Sequence, residues 1–309
     1  MKRLPQTDDV RVVRLRELES PSDLRNRLPL SENAATTVAW ARNEIRGILT
    51  GKSTRSLVVL EGLVSPDGIS PIHSIVELSR NFSESSLVVP LVPSKSRASH
   101  VSSSDANSMT ALFENQRKRL LELNDAGLPG GAVLTDTISP QYFSDLLSWA
   151  TVPMWATESQ VHRELASGVS FAVCFAANDS STLKLAADAV ETAACPHHFV
   201  GLSKRGQVAM VTTAGNSDCT VRLSANEADV AEGFRHVEAT EYLKSRGITN
   251  RPVLGMASGP RGFRGASASY GRLVHVDLSS LGSEGTEAKQ LGVLETCLDL
   301  LSQRSVKKR

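Results

Sequence analysis

Eight short apolar runs, separated by longer segments of helical periodicity, constrain the fold of this chain more than any other feature. The runs are continuously apolar rather than alternating, which is typical of parallel strands buried on both faces. Eight such strands with helices between them favour a closed (β/α)8 TIM barrel, an α/β fold, over an open sheet. The predicted strands are Ser56–Gly62, Ser86–Pro93, Gly131–Asp136, Thr151–Thr157, Phe171–Ala176, Cys219–Ser224, Pro252–Ser258 and Arg272–Leu278.

Helical spacing of apolar residues marks the connecting segments. Asn33–Leu49 shows this spacing most clearly, and Ser31 is placed to cap the helix. The other predicted helices are Phe113–Asn124, Tyr142–Trp149, Leu183–Ala194 and Glu227–Arg246.

Two segments fall outside the alternation of strands and helices. Residues 1–50 precede the first strand and are predicted to form an N-terminal extension, which leaves residues 51–309 for the barrel. Residues 198–214 predict an inserted β-hairpin, with Lys204-Arg205-Gly206 at its turn.

Composition and charge exclude several classes of partner. The chain has 309 residues and 40% hydrophobic content, which is enough for one large core. A net charge of +1 gives no electrostatic reason to expect nucleic acid or a membrane surface as partner. No apolar run reaches the roughly 18 residues that span a bilayer, and the first residues lack the apolar core of a signal peptide. We therefore expect a cytoplasmic protein.

Several stretches resemble the class I 3-deoxy-7-phosphoheptulonate (DAHP) synthases. They are SENAATTVAWAR (31–42), LLELNDAGLPGG (120–131), ISPQYFSDLLSW (138–149), TESQVHRELASG (157–168) and TTAGNSDC (212–219). The resemblance implies a barrel enzyme that condenses phosphoenolpyruvate with erythrose 4-phosphate. It implies a divalent metal held by Cys, His, Glu and Asp, and two phosphates held by Arg and Lys. It also implies a homodimer or higher homo-oligomer that forms through the extension and the hairpin.

The metal ligands that the resemblance implies are mostly replaced. Leu63 stands where the family has the metal cysteine, and Gly259 stands where it has the histidine. His275 and Asp277 are nearest to the metal glutamate, and Glu295 is the best match for the aspartate. Two remaining donors are too few to hold a divalent ion tightly. We therefore expect neither a metal nor another cofactor.

The phosphate-binding cations that the resemblance implies are replaced as well. Lys95 and Arg97 remain from the family's Lys-Pro-Arg motif. Pro90, Trp155, Ala176 and Ser224 occupy other cation positions, and Val133 occupies an acidic one. These changes lie at the carboxyl ends of strands, where barrel enzymes keep their chemistry. An apolar pocket for a small, neutral substrate is therefore predicted.

Three hypotheses about function follow. The first is a repurposed enzyme of specialised biosynthesis that acts on an apolar small molecule without metal or phosphoenolpyruvate. Its reaction would be a cyclisation, a pericyclic or aldol-type carbon–carbon bond formation, or an isomerisation. The second is a non-catalytic relative that binds a ligand or a partner enzyme, such as a genuine DAHP synthase. The third is a residual DAHP synthase. The replacements favour a lyase, isomerase or cyclase and argue against DAHP synthase activity itself.

The candidate site residues lie where the strands end. Glu61 ends the first strand, where a carboxyl group can act as a general acid or base. Trp155 points into the barrel mouth if the fourth strand keeps its register. The candidate catalytic residues are Glu61, Lys95, His275 and Asp277. The candidate substrate-binding residues are Trp155, Arg97, Asp136, Val133, Leu63, Cys174 and Met256. An open mouth lined by Glu61, Lys95, Trp155 and His275 would favour an enzyme over a binding protein.

Overall fold

The computed structural model describes residues 7–63, 72–93, 106–225, 234–257, 272–278 and 287–306. Within these residues, eight parallel strands form a closed barrel, and a separate hairpin consists of β6 His198–Leu202 and β7 Val208–Thr212. The barrel strands are β1 Ser56–Glu61, β2 Ser86–Val92, β3 Gly130–Val133, β4 Leu147–Val152, β5 Ala172–Ala177, β8 Thr220–Ala225, β9 Val253–Ala257 and β10 Leu273–Asp277. Their order around the barrel is β1-β10-β9-β8-β5-β4-β3-β2, and β2 pairs with β1 to close the ring. The (β/α)8 fold class is confirmed.

The barrel strands are apolar on both faces because each separates two layers of core. On β1, Leu57 and Val59 belong to the core inside the barrel, whereas Val58 and Leu60 belong to the core beneath the surrounding helices. All four residues are fully buried. This double burial is the physical reason why the sequence shows continuous apolar runs.

Helices surround the barrel and close one of its ends. The predicted cap of the second helix is confirmed, because the backbone N–H of Ala34 donates to Ser31 Oγ over 3.0 Å. The helices are α1 Pro21–Arg27, α2 Glu32–Leu49, α3 Ile72–Asn81, α4 Ala106–Asp125, α5 Gln160–Gly168, α6 Ser180–Ala193, α7 Phe234–Ser245 and α8 Glu287–Val306. None of these described helices combines the length and the apolarity needed to cross a membrane. The cytoplasmic location stays a prediction.

Helix α2 closes the end of the barrel where the strands begin. Its residues Ile45, Ile48 and Leu49 are fully buried and join the inner core. The carbonyl of Leu49 also accepts a hydrogen bond of 3.0 Å from the N–H of Arg251, just before β9. Because α2 fills this end of the barrel, the candidate site lies at the opposite end, where the strands finish.

The segment from residue 139 to residue 157 differs from its prediction. The predicted helix Tyr142–Trp149 is wrong, because two 3-10 turns, Ser139–Tyr142 and Ser144–Leu146, lead directly into β4. The predicted strand Thr151–Thr157 begins too late, since β4 ends before Pro153, which has no N–H for the ladder. Part of the segment whose apolar spacing suggested a helix belongs to β4 instead, and its Trp149 is fully buried inside the barrel.

The inserted hairpin is confirmed. Strands β6 and β7 pair antiparallel, with His198 opposite Thr212 and Leu202 opposite Val208. At the turn, Gly206 takes a φ of +74°, a conformation that glycine adopts without steric cost. The hairpin is separate from the barrel sheet and adds an antiparallel surface to its side.

Candidate active site

Glu61 lies at the end of β1, on the side of the barrel where the strands finish. The chain turns directly after it at Gly62, which takes a φ of +87°. The backbone of Glu61 is fixed, since its carbonyl accepts a 2.8 Å hydrogen bond from the N–H of Leu278. Its side chain keeps 33% of its surface exposed. The carboxyl group can therefore meet both a ligand in the mouth and groups inside the barrel.

His275 lies next to Glu61, inside the barrel wall. It belongs to β10, where it pairs in register with Val59 of β1. Its Nε2 atom is 3.0 Å from Glu61 Oε2, and its side chain is only 1% exposed. His275 is therefore shielded from solvent and contacts the side chain of Glu61 from inside the barrel.

A third charged residue, Arg222, completes this group. It belongs to β8, and β9 separates it from His275. Its Nη1 atom lies 3.3 Å from His275 Nε2 and 3.9 Å from Glu61 Oε2. Glu61, Arg222 and His275, which come from three different strands, are called the mouth cluster below.

The Nε2 atom of His275 faces both Glu61 and Arg222. A hydrogen bond with the Glu61 carboxylate requires a hydrogen on Nε2, whereas a hydrogen bond from Arg222 requires a lone pair there. With a hydrogen on Nε2, the imidazole donates to the Glu61 carboxylate and offers no lone pair to Arg222. With a lone pair on Nε2, it accepts from Arg222, and Glu61 must then carry a proton to avoid facing that lone pair. One proton thus decides which neighbour His275 binds, and Glu61 is the neighbour that can exchange it with a ligand.

The electrostatics of the mouth cluster keep His275 neutral. Burial lowers the pKa of His275, and the charge of Arg222 lowers it further, although the hydrogen bond with Glu61 opposes both effects. A neutral imidazole leaves one carboxyl group and one guanidinium group as the charged members. Such a cluster can hold an anion and move a proton at the adjacent carboxyl group.

The two predicted aspartates lie in different environments. Asp277 is half-buried and lies opposite Glu61 in the register of β1 and β10. The Asp136 carboxylate accepts hydrogen bonds from the N–H groups of Ile138 (2.9 Å) and Ser139 (2.7 Å) and from the Ser139 hydroxyl (2.7 Å). These bonds hold the turn at residues 139–142, so Asp136 stabilises the loop after β3.

Trp155 does not lie on the fourth strand. Because β4 ends at Val152, Trp155 falls in the 3-10 turn Met154–Ala156, and it is 65% exposed. The expectation that strand register carries its indole into the barrel mouth is therefore corrected. Its large exposed surface belongs to the loop that follows β4.

The remaining predicted site residues are mostly buried or lie outside the described residues. Leu63 belongs to the outer core and Cys174 to the inner core, where burial raises the pKa of the Cys174 thiol. Val133 is partly buried against the inner core, and Met256 lies opposite Val276 in the β9–β10 register. Lys95, Arg97 and Gly259 lie outside the described residues.

Sequence reasoning missed Arg222. The signal was a charged residue inside the otherwise apolar run CTVRLS (219–224), two residues before Ser224, which occupies a family cation position. Since side chains alternate along a strand, residues 222 and 224 face the same side. Because residue 224 occupies a family cation position inside the barrel, Arg222 is expected to face inward as well. The alternation along one strand does not predict its partners on β10 and β1.

The described residues do not fit the divalent metal that the family implies. Leu63 offers an apolar, buried side chain in place of a thiolate, and Glu295 is exposed on α8. Among the side chains that the structure describes, no three His, Cys, Asp or Glu residues come together as possible ligands. The guanidinium of Arg222 lies against His275 and would repel a cation there. No catalytic step through a metal follows from this donor set.

Comparisons with known proteins identify the family. The model of the DAHP synthetase I family matches residues 101–254. The Phe-sensitive phospho-2-dehydro-3-deoxyheptonate aldolase of Escherichia coli K12 is 35% identical over 257 residues, which cover 79% of this chain and 73% of that protein. The aldolase AMT16 of Alternaria alternata is 29% identical over 268 residues, covering 82% of this chain and 72% of that protein.

Similarity of fold agrees with similarity of sequence. The structure of phospho-2-dehydro-3-deoxyheptonate aldolase from Francisella tularensis SCHU S4 matches with a TM-score of 0.77 at 21% identity, covering 95% of this chain and 99% of that one. The fold is thus that of an aldolase-type TIM barrel. More narrowly, the chain belongs to the DAHP synthetase I family.

One expectation about activity is wrong. The replaced residues argued against DAHP synthase activity and for a lyase, isomerase or cyclase. However, relatives at 29–35% identity are named phospho-2-dehydro-3-deoxyheptonate aldolases, which points to that activity instead. Their names lend no support to a cyclase, to metal independence or to specialised biosynthesis. The error came from counting lost cations one by one, which overlooked Arg222 on the strand that carries Ser224.

Proposed function

We propose that this chain catalyses the aldol-type carbon–carbon condensation for which its relatives are named. The observation that carries the proposal is the mouth cluster, in which His275 Nε2 lies 3.0 Å from Glu61 and 3.3 Å from Arg222. A carboxyl group, an imidazole and a guanidinium thus meet at the end of the barrel where enzymes of this fold work. Membership of the family supplies the reaction type, and the cluster supplies groups that can assist it.

The reaction needs a group that can give and regain a proton. In the condensation, C3 of phosphoenolpyruvate bonds to C1 of erythrose 4-phosphate, the aldehyde oxygen gains a proton, water adds at C2 and phosphate leaves. Glu61 is exposed at the mouth and can deliver the proton to the aldehyde oxygen. It can then regain a proton from the water that adds at C2, while His275 holds the carboxyl group in place.

The test is a condensation assay on the purified full chain with phosphoenolpyruvate and erythrose 4-phosphate. The readouts are release of inorganic phosphate and formation of the seven-carbon product by mass spectrometry, with added Mn²⁺ and after chelation. We expect Glu61→Gln to lower kcat by about 10²- to 10⁴-fold, because the amide cannot transfer the proton. Glu122→Gln is the matched control, since Glu122 is exposed on α4 and should leave the rate unchanged.

Two results would contradict the proposal. One is the absence of any condensation by the wild-type chain, both with the metal ion and after chelation. The other is equal kcat for the wild-type and Glu61→Gln chains, which would remove Glu61 from the chemistry.

For the assembly, we propose that a second copy of the chain covers the outer face of the hairpin. Val200, Val208 and Met210 share this face and are 71%, 76% and 72% exposed. Exposed apolar patches of this kind usually mark an interface. Light scattering should give a homo-oligomer for the wild type and a smaller particle for the double variant Val208→Ser with Met210→Ser. An unchanged mass would place the interface elsewhere.

A further inference from the structure

Arg222 has hydrogen-bonding capacity that the described residues do not use. Its Nη1 makes one contact, with His275 Nε2 at 3.3 Å, and the Glu61 carboxylate lies 3.9 Å away, beyond hydrogen-bond distance. Its Nε atom is buried without a partner among the described residues. The side chain is only 18% exposed. A guanidinium with five donors in this position is costly unless an anion completes its bonding.

The path of the Arg222 side chain is built into the barrel. Arg222 must cross β9 to reach His275 on β10, and the residue on β9 at this level is Gly255. A Cβ atom at Gly255 would lie 3.2 Å from Arg222 Cδ, 3.3 Å from its Cγ and 3.2 Å from the carbonyl oxygen of Leu223. The absence of a side chain at Gly255 therefore provides the channel that carries the guanidinium toward the mouth.

The neighbours of Arg222 define the chemistry of an anion that it could bind. The guanidinium presents a planar fork of N–H donors, which matches the two oxygens of a carboxylate. Glu61 lies next to it and is the group that exchanges a proton with a ligand. An acid that carries an oxygen on the carbon next to its carboxylate would place the carboxylate at Arg222 and that oxygen near Glu61.

We propose that Arg222, aligned over Gly255, binds the carboxylate of a small α-keto or enol acid in the mouth of the barrel. This inference rests on the proposed condensation, to which it assigns the carboxylate-binding residue of the acid substrate. In this arrangement an ionised Glu61 competes with the ligand for Arg222. A protonated Glu61 leaves the guanidinium of Arg222 to the ligand. Gly255 acts as a positioning residue, because it leaves room for the arginine and has no side chain of its own to reach a ligand.

The test is isothermal titration of the full chain with pyruvate, which carries the carboxylate and the α-oxygen but no phosphate. Arg222→Met preserves length and apolar packing, and we expect it to weaken pyruvate binding by about tenfold or more. Arg222→Lys should retain part of the affinity through its charge. Gly255→Ala should fall between the wild type and Arg222→Met, because its methyl group displaces the arginine.

Matched controls separate this effect from general damage to the fold. Arg119→Met removes an arginine that pairs with Glu122 on the surface of α4. Gly292→Ala adds a methyl group where no atom lies within 4 Å. Both controls should bind pyruvate like the wild type, and thermal unfolding should be cooperative for every chain compared.

Three outcomes would overturn the inference: no pyruvate binding by the wild type, equal binding by Arg222→Met, or inorganic phosphate binding at Arg222 as tightly as pyruvate. Glu61→Gln separates the inference from the proposed condensation, because it should keep or strengthen pyruvate binding while losing condensation. If pyruvate binds through Arg222 but the wild type forms no seven-carbon product, the proposed function fails and the carboxylate site stands.

Discussion

Two arginines of this barrel, one fully buried and one partly buried, have opposite surroundings. Arg117 on α4 is 0% exposed and donates to the carbonyls of Leu28 (2.7 Å) and Tyr142 (3.0 Å) and, through both terminal nitrogens, to Asp145 (2.8 and 2.9 Å). Arg222 makes one 3.3 Å contact and leaves its buried Nε without a partner among the described residues. Four hydrogen bonds mark Arg117 as structural, whereas Arg222 keeps donors that the described residues do not use, as the proposed binding of a carboxylate requires.

The partner carboxylates differ in the same way. Burial alone would raise the pKa of Asp145, but the hydrogen bonds and charges of Arg117 and Arg25 outweigh it and lower that pKa. Asp145 is therefore held ionised between two arginines. Glu61 lies 3.9 Å from its arginine and 3.0 Å from a neutral imidazole, and it stays partly exposed. Asp145 is thus fixed between two arginines, whereas the side chain of Glu61 reaches the surface of the barrel mouth.

The largest expected effect is that of Arg117→Met on stability. The change leaves the carbonyls of Leu28 and Tyr142 without their donor and removes the bidentate partner of Asp145, which should cost about 3–5 kcal/mol. Urea unfolding at neutral pH measures this loss. Arg119→Met on the same helix is the control and should stay within about 0.5 kcal/mol of the wild type. A loss below about 1 kcal/mol for Arg117→Met would show that Arg117 does not have the structural role assigned to it.

A smaller effect on stability is expected for Arg222→Met. Its removal breaks the 3.3 Å contact with His275 and the 3.9 Å ion pair with Glu61, which is partly exposed, so the free energy of unfolding should change by about 1 kcal/mol or less. The same urea titration measures it beside Arg117→Met. If the two variants lose equal stability, Arg222 is as structural as Arg117, and the contrast between the arginines disappears.

The smallest expected effect concerns His162, a buried histidine with one partner. Its Nδ1 lies 2.8 Å from Ser159 Oγ, and burial lowers its pKa, although the charge of Asp136 opposes this. As the pH falls below about 6.5, His162 therefore takes up a proton in the unfolded chain before it does so in the folded protein. The contribution of neutral His162 to the free energy of unfolding is complete above that pH and is lost below it. Urea unfolding between about pH 7.5 and about pH 5 should give a shallower decline for His162→Gln than for the wild type. An identical decline would show that His162 is protonated equally in both states.

Much of the fold could be predicted because local patterns carry it. The eight apolar runs, the cap at Ser31 and the hairpin turn at Gly206 each depend on residues close together in the chain. The exception at residues 142–149 has a physical cause, since helical and strand patterns look alike in a short apolar segment. Burial of Trp149 inside the barrel, which depends on the whole ring of strands, decided in favour of the strand.

The candidate site was only partly predictable. Glu61 was found because it ends its strand, where barrel chemistry lies. His275 was found because it is near the position of the family's metal glutamate, and the two residues meet at 3.0 Å. Arg222 was missed because the reasoning compared each position with a family pattern, and residue 222 lies outside that pattern.

The sequence by itself determined the succession of barrel strands, because burial on both faces leaves continuous apolar runs in the chain. The replacement of the family's metal cysteine by Leu63 follows from the resemblance to that family. Only the tertiary structure decided that Arg222 passes over Gly255 to reach His275 and Glu61. The strands β8, β9, β10 and β1 must first assemble side by side in the closed barrel. Only then can the side chain of β8 pass the glycine of β9 and reach the residues of β10 and β1, and the pattern within a single strand does not encode this contact.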